Sequence, residues 1–378
     1  MPEMNNRGLI LLNKARHIYS KGGMTSLMRR GIRYTLPRPF NRYFWLLRLE
    51  MYEGERAPVP LHDRMKLYRH GFRSYVYNLY GFDERDDWSQ FMPCTSRHFD
   101  TPMINDCPEL IDDKKIFYEH LSDYGLNDFL PLLLGEISDG KFTSHIDSGL
   151  FETLEEYGKV VIKDRKGSGG KGVHVCRYED GLVVVDGRKL SSGSFENFIS
   201  TIDQALITEY CQQATYLDHI YPKSVNTLRI LVVKPDSEEP FIGAVVQRFG
   251  TERSAPVDNF TSGGLSCSVD KTSGTLGTGV GKVDEHQFDW YSHHPDTGER
   301  IEGVRIPGWD DIKVKVKHAT DIIPEFRYVG WDIVVTEPGE FVVLEANNQT
   351  DIDLLQAHEP LFKDGRLRSF YAKQDVSV

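Results

Sequence analysis

A chain of 378 residues, 39% hydrophobic and 27% charged, has globular composition and enough length for two or three domains. No apolar run approaches the roughly 18 to 20 residues that span a bilayer, and the N-terminus lacks the apolar stretch and small-residue cleavage site of a secretory signal, so a cytoplasmic protein is expected. The five cysteines, Cys94, Cys107, Cys176, Cys211 and Cys267, are far apart with no CxxC pair, so neither a disulfide framework nor a zinc site is indicated and reduced, mostly buried thiols are expected.

The net charge of −11 conceals a basic start: from Arg7 to Arg48 there are ten Lys or Arg and no Asp or Glu. The stretch ends in "RPFNRYFWLLRLEMY", whose aromatic and apolar residues suit contact with an anionic membrane, at its inner face, or with a lipid-linked or polyanionic acceptor. A helical arm packed on the body by its Leu and Phe residues is the other reading. Nucleic acid is not expected, because the acidic remainder repels a duplex and no recognition motif accompanies the patch. Residues 1–60 read as a basic, helical N-terminal extension that ends at "GERAPVP", where two prolines interrupt any helix.

Residues 61–150 form the next segment, an N-terminal α/β subdomain, in which "IDDKKIFYEHLSDYGL" has helical periodicity through Ile111, Lys115, Tyr118 and Leu121 or Tyr124. From about residue 158 to 250 the pattern changes to strands: "GKVVIKD", "GVHVC", "GLVVVDG", "ALITEY", "NTLRILVVK" and "FIGAVVQRF" are rich in Val and Ile and punctuated by Gly, Asp and Pro. A helix from Asp311 to Ile323 places Ile312, Val316, Ala319 and Ile323 on one face, and the strands "VGWDIVV" and "FVVLEAN" follow. Largely antiparallel sheets flanked by helices predict an α+β or α/β protein.

Two hairpins carry chemistry. The first joins its strands through "KDRKGSGGKG", with three lysines and four glycines between Lys163 and Gly172. Glycines let backbone N–H groups approach phosphate oxygens, and lysines add charge-assisted contacts. It is neither a Walker A loop, since the GxxxxGK[ST] spacing is missing, nor a dinucleotide fingerprint, since a strand follows. A flexible surface turn is the alternative. The second hairpin, "GWDIVVTEPGEFVVLEANNQ", turns at Pro338-Gly339. A two-residue turn there sets Asp332 opposite Glu345, about 5 Å apart, with Asn347 on the same face. Two carboxylates and an amide oxygen so placed repel one another unless a hard cation such as Mg²⁺ lies between them. A solvated polar sheet face is the alternative.

The order of these pieces, a lysine strand, a Gly-rich hairpin, "LITEY", "SVNTLRILVV", an Asp strand and "LEANN", resembles the ATP-grasp superfamily from about Leu67 to Leu361. "YPKSVNTLRI", "APVDNFTSGGLSCSVD", "HHPDTGERIEGVRIPGW" and "LEANNQTDIDLLQ" are similar to its sugar-transfer-associated branch. The resemblance implies two α+β subdomains gripping ATP, residues 151–210 forming the lid and 211–378 the catalytic part. It also implies roles. Lys163 and Lys171 touch the nucleotide phosphates beneath a mobile lid of Gly167, Ser168, Gly169, Gly170, Lys171 and Gly172. Glu209, Tyr210 and Cys211 read the adenine and ribose. Arg229 and Arg248, with Lys171, stabilise the transferring phosphoryl group. Asp332, Glu345 and Asn347 bind Mg²⁺, and Asp258 and Asn259 lie near the acceptor.

The sequence departs from the family where an Asn followed by a Pro-Gly turn gives way to "NNQTDIDLLQ", which retains Asn347 but alters what lies beyond it. Read from the strand alone, Arg229 could equally be paired with an acid. His293 and His294, beside Pro295, read as loop residues, and Cys211 as a packing residue. The implied activity is ATP-dependent carboxylate–amine ligation through an acyl-phosphate, with a sugar acid or amino sugar of a cell-surface polysaccharide as a small-molecule or glycan substrate. Its rivals are a kinase using a base such as Asp258 and a nucleotide-binding scaffold without turnover.

Overall fold

The computed structural model describes residues 38–52, 57–167, 169–284 and 286–377; residues 7–37 of the basic stretch and Ser168 of the glycine-rich hairpin lie outside the described residues. Its contacts divide the chain into Met1–Ser74 and Tyr75–Val378. In the first unit, helix α1 (Arg38–Tyr52) is followed by α2 (Leu61–Arg69). α1 buries Leu46, Leu49 and Glu50. The Glu50 carboxylate accepts hydrogen bonds from Ser74 N at 2.8 Å, Ser74 Oγ at 2.5 Å and Tyr68 OH at 3.0 Å, so the one acid of the helix is fully engaged. Among the described residues no helix is long and apolar enough to cross a membrane.

The second unit contains two antiparallel sheets of seven strands each. The first comprises β1 (Leu133–Ser138), β2 (Lys141–Ser144), β3 (Lys159–Asp164), β4 (Val173–Glu179), β5 (Leu182–Val185), β6 (Arg188–Leu190) and β7 (Gln204–Glu209), in the order β2-β1-β7-β3-β4-β5-β6. The second comprises β8 (Leu228–Val233), β9 (Phe241–Phe249), β10 (Leu265–Val269), β11 (Leu276–Lys282), β12 (Phe288–Tyr291), β13 (Tyr328–Glu337) and β14 (Glu340–Asn347), in the order β12-β11-β10-β9-β8-β13-β14. This is an α+β architecture with every neighbouring pair antiparallel. The sequence boundary at residue 151 falls between β2 and β3 of one sheet, and described residues 75–132 contain helices but no strand.

The helix read through Ile111 to Leu121 is interrupted at Asp113. Its carboxylate accepts from Lys115 N at 3.1 Å and Ile116 N at 3.3 Å, capping a new helix, α3 (Lys114–Asp123), after a short turn at Glu109–Asp112. An Asp satisfies the first free N–H groups of a helix better than it continues one, and here the cap wins over the apolar period. α4 (Leu150–Tyr157) and α5 (Ser192–Ser200) cover one face of the first sheet, burying Leu154, Phe195 and Ile199 with Val160, Ile162 and Ile207. α3 and α6 (Trp309–Ile322) cover one face of the second, burying Phe117, Leu121, Ile312, Val316 and Ala319 with Ile230, Trp331, Ile333 and Val335. The face expected for α6 is the one observed. The indole N–H of Trp331 donates to Thr320 Oγ1 at 3.0 Å, which keeps its one polar atom satisfied inside this core.

The two faces of α6 differ enough for a direct test. Ile312→Ala should lower the free energy of unfolding by about 2–5 kcal/mol, whereas Val314→Ala, at a position 63% exposed, should stay within about 0.5 kcal/mol. Urea unfolding of both variants checks the packing.

Candidate functional site

The two sheets bound a cleft with about 820 Å³ of empty space, its open mouth included. The floor is set by register. Asp332 on β13 pairs with Arg229 on β8 to one side and with Glu345 on β14 to the other, so three charged side chains stand in one row across three strands. The expected pairing of Asp332 with Glu345 is therefore present. It arises through two irregularities, one between Val335 and Glu337 and one between Asp332 and Ile333, which offset each other. The second sends Phe341, Val343 and Ala346 to the core while both Leu344 and Glu345 line the cleft.

Asp332 anchors a buried chain of alternating charge. Arg229 grips it bidentately through Nε and Nη2, the latter at 2.7 Å, and turns Nη1 to Thr350 Oγ1 at 3.1 Å. Arg248 Nη1 reaches Asp332 Oδ2 at 3.0 Å, and Arg248 Nη2 bonds Asp258 Oδ1. Asp258 Oδ2 accepts from Thr227 N at 2.7 Å and Thr227 Oγ1 at 2.5 Å. Thr350 comes this close because Gly330 has no side chain: a Cβ there would lie 2.4 Å from Thr350 Oγ1. Burial alone would raise the pKa of Asp332, but the guanidinia of Arg229 and Arg248 hold it below the usual carboxylate range. Burial, and then the charge of Asp332, push Glu345 up.

The glycine-rich hairpin forms the opposite wall. Gly169 and Gly170 have φ of +65° and +78°, a backbone that other residues rarely adopt. A Cβ on Gly170 would lie 2.9 Å from Val257 Cγ2, and Asn259 Nδ2 donates to Gly169 O at 2.8 Å, so the tip of the hairpin rests on the loop that carries Asp258. Its base is held by Arg165, whose Nε donates to Asp113 Oδ1 at 2.7 Å and Oδ2 at 2.9 Å. Lys114 Nζ donates to Gly167 O at 2.5 Å and lies 3.6 Å from Glu345 Oε2.

Of the residues singled out in the sequence, Lys163, Gly170, Glu209, Tyr210, Cys211, Arg248, Asp258, Asn259, Asp332 and Glu345 line this one cleft. Lys163 is half-buried, and burial lowers its pKa. Lys171 is exposed on the hairpin and is not among the lining residues. Arg229 stands behind Asp332 with its guanidinium engaged, so the plain reading of a strand arginine paired with an acid describes its contacts. Asn347 pairs with Gly330 one step beyond the cleft, and its Nδ2 donates to Gly330 O at 3.3 Å. One ring face of Tyr210 is capped by Lys159 Nζ, 3.3 Å from the ring centroid. Burial pushes the Cys211 thiol up to about 11, which leaves it protonated at neutral pH. His294 is buried in a loop, with Nε2 2.8 Å from Gly250 O.

Sequence reasoning missed Lys114, Thr227, Thr350 and Gly330. Asp113 as a helix cap would have flagged Lys114 as the first residue of a helix, whereas nothing local marks the other three.

The expected ligands are of the type that a hard cation takes, but Asp332 already accepts from two guanidinia and Asn347 lies one step beyond the cleft. Asp332, Glu345 and Asn347 supply carboxylate and amide oxygens, and Glu345 has an ionic contact with Lys114 where Asp332 is tied to two guanidinia. Among the described residues no three His, Cys, Asp or Glu gather as a metal site. A six-coordinate Mg²⁺ would thus take its remaining ligands from water and substrate phosphate, as that ion usually does.

The sequence profile of the sugar-transfer associated ATP-grasp family matches residues 102–367. No curated protein matches the chain. Among solved structures, N5-carboxyaminoimidazole synthetase from Staphylococcus aureus complexed with ADP is 11% identical over 65% of this chain and 46% of its own, with a TM-score of 0.35. The ATP-grasp ligase PsnB complexed with a phosphomimetic variant of its minimal precursor, Mg and ADP is 15% identical over 70% of this chain and 59% of its own, also at 0.35. An L-amino acid ligase from Bacillus licheniformis is 9% identical over 64% of this chain and 41% of its own, at 0.33. The chain spans about half the length of these structures, and each is a distant likeness only.

Two outcomes test the site's electrostatics. Arg229→Ala leaves the buried Asp332 carboxylate with one of its three guanidinium hydrogen bonds and should lower stability by about 3–5 kcal/mol. Thr350→Val removes one hydrogen bond to a charged group and should cost about 1–3 kcal/mol. Equal urea midpoints for Arg229→Ala and wild type would mean that the ion chain does not form in solution. Alkylation of Cys211 by iodoacetamide, followed by peptide mass mapping, should be negligible at pH 7 and rise about tenfold per pH unit toward pH 11.

Proposed function

The chain belongs to the sugar-transfer associated ATP-grasp family, and on that footing we propose that it is an ATP-dependent carboxylate–amine ligase. The observation that carries the proposal is one cleft holding three kinds of group: the ammonium groups of Lys114 and Lys163, the Arg248 guanidinium, and the Asp332–Glu345 carboxylate row, all beside a glycine-rich hairpin. That combination suits a polyphosphate with a divalent cation.

In this reading ATP lies between the two sheets, which act as lid and catalytic halves. Lys114 and Lys163 bind phosphate oxygens, the hinge at Glu209, Tyr210 and Cys211 faces the base and ribose, and the backbone of Gly167 to Gly172 closes over the phosphates and keeps water out. Asp332, Glu345 and Asn347 would hold Mg²⁺, which when bound neutralises charge on the β- and γ-phosphates. A substrate carboxylate oxygen attacks the γ-phosphorus, the bond to the β–γ bridging oxygen breaks, and ADP leaves an acyl-phosphate. An amine then attacks the acyl carbon and inorganic phosphate departs, the amine proton going to solvent or to phosphate. Arg248 stabilises the charge that moves from one group to the other, and Arg229 orients Asp332.

Nothing here requires a nucleophile from the protein, and the protonated Cys211 does not offer one. A kinase would need a base for a hydroxyl. Asp258, the carboxylate nearest that role, already accepts from Thr227 and Arg248 on both oxygens, which disfavours it. A scaffold without turnover would have no use for the whole set of Lys163, Arg248, Asp332 and Glu345 in one cleft. The substrate we propose is a sugar acid or amino sugar of a surface polysaccharide, joined to an amino acid or similar small amine, a reading that the family's association with sugar transfer supports.

The test is ATP turnover with Mg²⁺ against pools of sugar acids, amino sugars and amino acids, read as ADP, phosphate and product mass. Phosphate release that needs both a carboxylate and an amine, and that falls at least about 100-fold in Glu345→Ala, is the expected result. ADP with a product heavier by one phosphoryl group would replace the ligase with a kinase.

A further inference from the structure

The stretch in which the sequence departs from its family, "NNQTDIDLLQ", begins on the cleft side of the second sheet. Gly330 and Asp332 share that face by the period of two, and a Cβ on Gly330 would lie 2.4 Å from Thr350 Oγ1. Thr350 sits between two guanidinia. Its hydroxyl accepts from Arg229 Nη1 at 3.1 Å and its carbonyl from Arg97 Nε at 3.1 Å. Arg97, on the short helix Cys94–Phe99, is thereby tied to the same segment as Arg229, outside the residues that line the cleft.

Most polar groups around Arg97 are already engaged. Asp353 accepts from Tyr75 OH and, at 2.7 Å, from Tyr80 OH, which is held in turn by Gln356 Nε2 at 2.8 Å. The Arg97 carbonyl accepts from Gln349 Nε2 at 3.1 Å and Thr101 Oγ1 at 2.7 Å. Asp351 Oδ1 accepts from Asp353 N at 3.2 Å. Among the described residues no hydrogen bond reaches Nη1 or Nη2 of Arg97 or Oδ2 of Asp351. Arg97 Nη1 stands 3.6 Å from Asp351 Oδ1, too far for a hydrogen bond. The two side chains are 30% and 27% exposed, and their unbonded atoms reach solvent.

We propose that Arg97 and Asp351 bind an α-amino acid, the guanidinium fork of Arg97 taking its carboxylate and Asp351 Oδ2 its ammonium group. The inference rests on the ligase reading and deepens it, since it makes the amine substrate an α-amino acid and not a simple amine. A simple carboxylate would meet the fork with Asp351 repelling it from the side, and a simple amine would meet Asp351 with Arg97 repelling it. A molecule that carries both charges on one carbon satisfies both residues. Bound there, it lies beside Thr350, whose hydroxyl holds Arg229 against Asp332.

The experiment is saturation-transfer NMR of the full chain, with and without ADP and Mg²⁺, first against pools of the common α-amino acids and then against the tightest of them, its α-amide and its N-acetyl derivative. The free amino acid should bind at least about tenfold more tightly than either blocked form. Arg97→Gln should lose only the preference over the amide, and Asp351→Asn only the preference over the N-acetyl form. A general loosening of the segment would not produce that crossed pattern. If a variant fails to fold, the blocked ligands still decide the matter on wild type. Three results would overturn the proposal: no binding by any α-amino acid, blocked forms that bind as well as the free one, or folded variants that keep both preferences. Binding needs no turnover, so the two readings fail separately. Ligation without this pattern would keep the ligase and remove the site; the pattern with a product heavier by one phosphoryl group would keep the site and remove the ligase.

Discussion

Four buried side chains of alternating charge, Arg229, Asp332, Arg248 and Asp258, fix the rest of the site. Taking each ion out of water costs several kcal/mol, and the mutual attraction offsets this only when almost every lone pair and N–H finds a partner. Here Asp332 accepts from three guanidinium nitrogens and Asp258 from one guanidinium, one amide and one hydroxyl. The chain also reaches beyond the sheet. Asp258 belongs to the loop after β9, and its bonds to Thr227 and Arg248 draw that loop back across the strands. Val257 and Asn259, its neighbours in sequence, are the residues on which Gly170 and Gly169 rest. The resting place of the hairpin is therefore set by ions buried beneath it.

A second coupling passes through Lys114. The cap at Asp113 starts α3 where the Lys114 ammonium can reach both the Gly167 carbonyl of the hairpin and the carboxylate of Glu345. The same Asp113 carboxylate accepts from Arg165 at the base of the hairpin. One helix start thus ties the hairpin at two points and lends a positive charge to the cleft floor. Glu345 needs one, since burial and Asp332 both oppose its ionisation.

Much of this could be read from the sequence, and the successes and misses have physical causes. The strands rich in Val and Ile, β3 to β5, β7 to β9, β13 and β14, announce themselves by composition. β10 and β11, with "LSCSV" and "LGTGVGK", do not: glycine and serine carry little strand preference, and these strands form because β9 offers β10 an edge and β10 offers one to β11. Asp332 opposite Glu345 followed from counting outward from the Pro338-Gly339 turn. The count holds because two irregularities of opposite sense fall between the turn and that pair, something no propensity forecasts. Period alone ran one helix through Asp113, where a local cap prevails. The burial of Arg229 could not be seen at all, because it depends on Thr350, 121 residues away, and on the absence of a side chain at Gly330.

The cleft also limits the chemistry by what its groups are already doing. A protein that takes part covalently needs a nucleophile with a free electron pair, and the buried Cys211 holds its proton up to about pH 11. A protein that takes part as a base needs a carboxylate or imidazole with an open oxygen or nitrogen, and Asp258 and Asp332 are bound on both oxygens by donors from neighbouring strands. Apart from the carboxylates of Glu345 and Glu209, what the cleft offers a bound molecule is cationic or backbone: Lys163, Lys114, Arg248 and the glycine-rich hairpin at Gly170. Groups of that kind neutralise and position a substrate without bonding to it. They suit a reaction whose nucleophiles come with the substrates, in which charge moves from a phosphoryl group to a leaving phosphate, and carboxylate–amine ligation driven by ATP is such a reaction.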